Sequence, residues 1–320
     1  MVKAQKVITG MSDAFARLPF GGHEKFVFRQ GWLKKGVDAA LRDPLVFSRE
    51  DAFVTLGVGK NMVTSIRYWG LALGLLIPFS GESGSVRAVQ PSLLGRNLLA
   101  DGGWDPYLED IGSLWLLHWL LAGNQERGLV WYLVFSRYFD VEFRKPQIVE
   151  FIWKQLTQMG IETTENMVVR EVDVFLRTYI PAQSRSDGVH PKQKNWEESL
   201  DCPLVDLNLL RLAPGDGVYR FDIGAKPSLP AAVFGYALFN FLSEKTIRQR
   251  TVTVDECVYK PGSPGQIFKL DENSVMTYLE QLESLTNGAL RLQETAGLRQ
   301  IYLHTISPEQ GQELLRGYYG

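Results

Sequence analysis

SREDAFVTLGVGKNMVTSIRYWG, running from Ser48 to Gly70, is the stretch on which the fold turns. Ser48 is placed to cap a helix whose first turn holds Glu50 and Asp51, where acidic side chains meet the positive helix end. Gly57-Val58-Gly59 stops that helix, and a second begins near Lys60. Apolar residues fall at Ala52, Leu56, Val58, Val63 and Ile66, offsets of 0, +4, +6, +11 and +14. Two helices crossing at a steep angle bury a shared core at that spacing, so the stretch reads as a helix-turn-helix. Phe53 is larger than the small residue usual early in the motif, which changes the expected crossing angle.

Working outward, Leu75–Pro78 and Val86–Gln90 flank the turn FSGESGS, Phe79–Ser85, and predict a β-hairpin, the wing of a winged helix. Two more stretches repeat the pattern. Pro146 opens a helix to Met159, Gly160 ends it, and Thr164 caps another that reaches Thr178. Asp271 caps a helix through Leu285, and Asn287-Gly288 stops it. Ala289–Gln293 and Leu298–Leu303 then alternate as a hairpin about Thr295-Ala296-Gly297. Between the first two units, Leu114–Asp140 reads as two aromatic-rich helices broken at Gly123-Asn124, with apolar faces broad enough for a central core. Gln183–Asn195 is polar, contains Gly188 and Pro191, and reads as a mobile loop.

The expected fold is mainly α with small β-hairpin wings: multiple winged-helix or helix-turn-helix modules around a central helical core. The expected division has three parts: residues 1–100, an N-terminal winged-helix-like DNA-binding domain; 101–182, a central helical domain with the second helix-turn-helix-like unit; and 183–320, a C-terminal winged-helix-like domain.

Composition narrows the function. With 45% hydrophobic and 22% charged residues, the 320-residue chain is globular and not disordered. A net charge of −2 rules out a polycation that coats nucleic acid indiscriminately. The charge is uneven. Residues 1–100 hold 6 Lys and 7 Arg against 4 Asp and 3 Glu, a net of +6, which leaves −8 on the remainder. Cys202 and Cys257 stand far apart with no CxxC, which argues against a structural zinc site or a disulfide framework and fits a reducing cytoplasm. His23, His118, His190 and His304 form no HExxH spacing. The longest apolar stretches, Trp69–Phe79 and Leu114–Ala122, fall short of the ~20 residues a membrane-spanning helix needs. MVKAQKVITGMSDAFARL lacks the apolar core of a signal peptide. A cytoplasmic protein with no membrane partner is expected.

Several phrases are more specific: GHEKFVFRQGWLKKG (22–36), LGVGKNMVTSIRYWG (56–70), GGWDPYLED (102–110), SLDCPL (199–204), PGSPGQIFKLDE (261–272) and ETAGLRQIY (294–302). Together, over roughly residues 20–303, they resemble a bacterial family known as a domain of unknown function that accompanies DNA sulfur-modification genes. The resemblance implies the DNA-nicking component of a single-strand phosphorothioation system. Its partners would be DNA, a cysteine desulfurase, an ATPase and an ATP-pyrophosphatase resembling phosphoadenosine-phosphosulfate reductase. It carries over no catalytic motif. Replacing a non-bridging phosphate oxygen by sulfur calls for an opened or cut backbone, so a nickase suits that company. The rival is a non-catalytic DNA-binding adaptor or regulator of the sulfur enzymes. The acidic remainder suggests a third reading, an interaction scaffold.

The candidate residues each have a plainer alternative. Lys60, Asn61, Thr64, Arg67 and Tyr68 share one face of a helix starting at Lys60, opposite Val63 and Ile66. Lys and Arg reach phosphates or guanine edges, Asn pairs with adenine, and Thr and Tyr bond phosphates. Otherwise the face is merely solvated. Gly57–Asn61 is not a phosphate-binding loop, since Val54 and Asn61 stand where that motif needs Gly and Ser or Thr. His23 could serve a nuclease as general base and Glu24 as metal ligand; otherwise their segment docks across the core. Asp105, Glu109 and Asp110 form the densest acidic cluster, with Asp105 and Glu109 the ligand candidates for Mg²⁺ or Mn²⁺. Asp105-Pro106 equally reads as a helix-starting cap. Lys226 and Lys269 lie on Gly/Pro-shaped loops that can hold a phosphate, or are only shaped turns. His118 and the aromatic stripe at 131–139 read as core.

Overall fold

The structure, a computed structural model, describes residues 20–79, 88–182, 201–243, 251–295, 298–303 and 308–320. The wing turn from Ser80 onward, the Gln183–Asn195 loop, Ala296-Gly297, His190 and His304 lie outside the described residues. A strap, Gly21–Lys25, leads into α1 (Gln30–Arg42), a 3₁₀ turn at Val46–Ser48, α2 (Ala52–Leu56), α3 (Lys60–Ala72), β1 (Leu76–Pro78), β2 (Val89–Pro91) and α4 (Leu93–Leu99). Next come α5 (Ile111–Ala122), α6 (Leu129–Arg137), β3 (Glu142–Arg144), α7 (Lys145–Gln158), α8 (Glu165–Tyr179), β4 (Leu210–Leu212) and β5 (Val218–Phe221). The order ends with α9 (Ala231–Ser243), β6 (Thr251–Thr253), α10 (Val254–Tyr259), α11 (Pro264–Ile267), α12 (Glu272–Leu285), β7 (Leu290–Thr295), β8 (Leu298–Leu303) and α13 (Pro308–Tyr319). The fold is mainly helical with small antiparallel sheets, as expected.

One topology recurs. The runs α6-β3-α7-α8-β4-β5 and α9-β6-α10-α11-α12-β7-β8 each fold their strands in the order first-third-second: β3-β5-β4 and β6-β8-β7. The first unit pairs β1 with β2, Leu76 opposite Pro91. There the Val89 amide also donates to the Pro44 carbonyl, so the segment after α1 occupies the place of the missing strand. Sequence periodicity found the first and last hairpins but not β4–β5, nor β3 and β6, which are strands of three or four residues too short to alternate visibly.

Local chemistry explains most boundaries. Thr164 accepts from the Met167 amide and Asp271 from the Ser274 amide, as N-caps should. Gly57, at φ 61°, ends α2 in the left-handed region. Ser48 is a correction: it ends the 3₁₀ turn and caps nothing. The five-residue α2 starts at Ala52, behind Asp51, whose side chain makes no cap bond.

A small cluster of Ala39, Val46, Ala52, Leu56 and Val63 holds α2 against α1 and α3, and the main core runs from Val27 to Leu315. Helix α5 lies at its centre, every residue from Gly112 to Ala122 buried, which is why its apolar face is broad. Trp115 on α5, with Trp69 on α3 and Trp131 on α6, are the largest fully buried rings of this core. His118 on α5 is a satisfied core histidine, its Nδ1 2.8 Å from the Tyr179 hydroxyl and its Nε2 2.8 Å from the Ile267 carbonyl. Among the described residues, no helix is long and apolar enough to cross a membrane.

Candidate nucleic-acid interface

The turn Gly57–Gly59 presents the first turns of α3 outward. Lys60, Asn61 and Thr64 are exposed, while Val63 and Ile66 are buried against α2 and α1. The Lys60 ammonium sits 5.4 Å from the Phe53 ring centroid, a cation–π contact that holds it beside the turn. Phe53 and Val54 are 37% and 68% exposed, an apolar addition to this face. The oversized Phe53 was its one signal in the sequence. Arg67 is half-buried, and burial lowers its pKa, though a guanidinium keeps its charge.

Tyr68 does not belong to the exposed face. Its ring meets His23 edge-on at 5.5 Å and Trp69 at 5.3 Å. Burial, with the Glu171 carboxylate nearby, pushes its hydroxyl pKa well above the ordinary value. Helical periodicity placed Tyr68 correctly around the axis, but could not show the strap that covers it.

That strap is built around His23, which has no exposure. Its Nε2 lies 3.1 Å from Glu171 Oε1 on α8, and its Nδ1 accepts from the Lys25 amide. The Gly21 amide donates to the same Glu171 oxygen. Glu24 and Lys25 both take positive φ, 50° and 66°, uncommon for non-glycine residues. The segment therefore docks across the core, pinned by Glu171. It is His23 that docks, out of a substrate's reach, and Glu24 that is exposed.

The acidic cluster does not converge. Asp105 is 7% exposed, and its two oxygens accept from the Glu109 and Asp110 amides at 2.9 and 3.0 Å. Asp110 is the true N-cap of α5, accepting from the Gly112 amide, and the Tyr318 hydroxyl donates to it. Burial and Asp110 together push the Tyr318 hydroxyl up to about 12. Only Glu109 is exposed. Divalent metals of this class need several oxygens aimed at one point. Among the described residues, no three His, Cys, Asp or Glu side chains are so grouped. These carboxylates do not fit a magnesium site.

Lys226 and Lys269 turn inward and leave no phosphate cradle. Lys226 is 5% exposed and donates to the Asp222 carbonyl and carboxylate and to the Gly224 carbonyl. Lys269 donates to the Phe135 carbonyl and lies 4.5 Å from the Phe221 ring centroid. Burial pulls its pKa down to about 7. The loops are Gly/Pro-shaped, and their lysines fasten them to the core.

The basic first third is also less basic than its count. A cavity of about 890 Å³ between α1 and α2 gathers Lys34, Lys35, Arg42 and Arg49 with Asp38, Asp43 and Asp51. Lys34 pairs with Asp38 and Asp101, and Arg49 with Asp43. Burial opposes the Lys34 charge, but its hydrogen bonds to Asp101 and Asp38 more than offset this and raise its pKa.

The family described as "Protein of unknown function (DUF4007)" matches residues 20–319. Two solved structures are similar over nearly the whole chain. One, a magnesium ion-bound SspB, is 31% identical with a TM-score of 0.83, covering 94% of this chain and 87% of that one. The other, also SspB, is 30% identical with a TM-score of 0.83, covering 96% and 90%. No curated protein matches. With 300 consecutive residues matched and similarity to an SspB structure over 94% of its length, the chain belongs to the DUF4007 family.

Proposed function

We propose that the chain is the DNA-binding component of a bacterial phosphorothioate-modification system. In this reading the three recurring units are winged helices, and α3 is the recognition helix of the first. The observation that carries it is the exposed Lys60, Asn61 and Thr64 at the start of α3, in a chain that shares the SspB fold. Lys60 meets a phosphate, Asn61 and Thr64 meet base edges or backbone, and Phe53 and Val54 supply apolar contact. The sulfur enzymes expected beside it are a cysteine desulfurase, an ATPase and an ATP-pyrophosphatase. The chain positions them on DNA.

A second reading, cutting of one strand with Mg²⁺ or Mn²⁺, is favoured by the likeness to a magnesium ion-bound SspB. It draws no support from Asp105, Glu109 and Asp110, whose oxygens are mostly engaged by the chain itself.

The test is duplex binding by fluorescence anisotropy at several salt concentrations. Lys60→Ala should weaken binding and flatten the log–log salt dependence by about 0.9, the share of one phosphate contact. Its fold should survive, because Lys60 is exposed. An unchanged slope in a folded variant removes α3 from the interface. A supercoiled-plasmid assay with and without each metal separates the readings: metal-dependent open circles favour scission, and intact plasmid favours an adaptor.

A further inference from the structure

We propose a second site for the phosphodiester backbone of the same duplex, in the groove between α8 and the β4–β5 turn. The proposal rests on the DNA-binding reading and gives it a second module. The groove is a cavity of about 500 Å³. Lys25 enters it from the strap, Lys145 from the start of α7, and Arg170 and Arg177 from α8. Among the described residues, the only carboxylate lining it is Asp173, which pairs with Lys145 at 2.6 Å. Among the described residues, no carboxylate lies within ion-pair distance of Lys25, Arg170 or Arg177. The α1–α2 cavity differs, because three aspartates, Asp38, Asp43 and Asp51, line it beside its four cations, and Lys34 and Arg49 are paired there. Here a positive surplus is left over, and an anion is what would balance it.

The charges also sit where helix stability does not want them. Arg144 is the N-cap of α7 and Lys145 its first residue, with no acidic side chain in that turn. Cations at a helix N-terminus oppose the macrodipole. A phosphate in the groove would meet both the dipole and the lysine favourably.

The walls are built as well as charged. The Arg177 guanidinium donates to the Lys25 carbonyl at 2.8 Å, and the His23–Glu171 pair fixes the strap beneath. Opposite, the Arg144 guanidinium holds the Asp216 carbonyl, tying the β4–β5 turn to α7. Gly215 in that turn has positive φ and open space where a Cβ would stand, so a polymer backbone can approach closely. The strap also links this groove to the first site. His23 touches Tyr68 on α3, and Lys60 lies about 12 Å along the axis from Tyr68 at 1.5 Å per residue.

Two variants with opposite expected signs test the site in the full chain. Arg170→Gln should weaken duplex binding and reduce the salt slope by about 0.9. Asp173→Asn should tighten binding about two- to fivefold, a gain that misfolding cannot imitate. If both variants bind like wild type while Lys60→Ala loses affinity, the groove proposal falls and the α3 reading stands. If wild type shows no salt-dependent duplex binding, both fall.

Discussion

Acidification probes the centre of the fold through His118. The imidazole is wholly buried, and burial lowers its pKa from 6.5 to about 4. The ring is therefore neutral in the folded protein at neutral pH. Unfolding returns it to water and to its ordinary proton affinity. Between pH 6.5 and 4 the unfolded chain binds a proton that the native chain does not, so this contribution to stability is lost as pH falls through that window. A tenfold difference in proton affinity is worth about 1.4 kcal/mol, which makes the full loss about 3 kcal/mol. Roughly 5–15 kcal/mol holds a typical domain folded, so the effect is large. Urea unfolding of wild type and His118→Leu across the window reads it. At neutral pH the variant is the weaker protein. Its Tyr179 hydroxyl and Ile267 carbonyl have lost their partner, at about 1–3 kcal/mol each. Toward pH 4 that gap should close by about 3 kcal/mol, because leucine does not titrate. A gap constant with pH would refute the reasoning, since it would mean that the ring charges freely inside the fold.

Three further outcomes are expected. Asp105→Asn leaves one of two partly buried backbone amides without its acceptor and should cost about 1 kcal/mol in urea unfolding, with duplex affinity unchanged. Unchanged stability with lost plasmid nicking would instead make Asp105 a metal ligand. Glu171→Ala removes the acceptor of the Gly21 amide and the partner of His23, so limited proteolysis should cut near Lys25 faster than in wild type; equal cutting would show the strap is held by something else. Gly95→Ala would drive a methyl group into the Leu75 carbonyl oxygen and should destabilise by about 1–3 kcal/mol, checked by the shift in the urea midpoint.

Elements whose cause is local were readable in the sequence. Thr164 and Asp271 bond amides three residues on, and Asn287 with Gly288 takes left-handed backbone, so helix ends and hairpins could be placed from a few neighbouring residues. The breadth of the apolar face on α5 likewise foretold its burial. What depended on distant partners was not readable. Tyr68 is covered by a strap held from Glu171, and Lys269 finds its acceptor at Phe135, 134 positions away. The α8 groove collects cations from positions 25, 145, 170 and 177, three of them in the acidic part of the chain. A count of charge by segment averages such a cluster away. The acidic cluster failed for a different reason: a carboxylate that caps backbone amides and one that binds a metal look alike as letters.

The strap also sets an order of events during synthesis. Gly21 and Glu171, joined by a hydrogen bond, are 150 residues apart in the chain. At about 5–20 residues per second, the nascent strap waits roughly 8–30 s for its partner to be made. Until then the side of Tyr68 and Trp69 that faces His23 has no finished cover, although every helix of the first unit already exists. This part of the fold thus closes well after the helices beside it are made, and its maturation is timed by translation of the middle of the message.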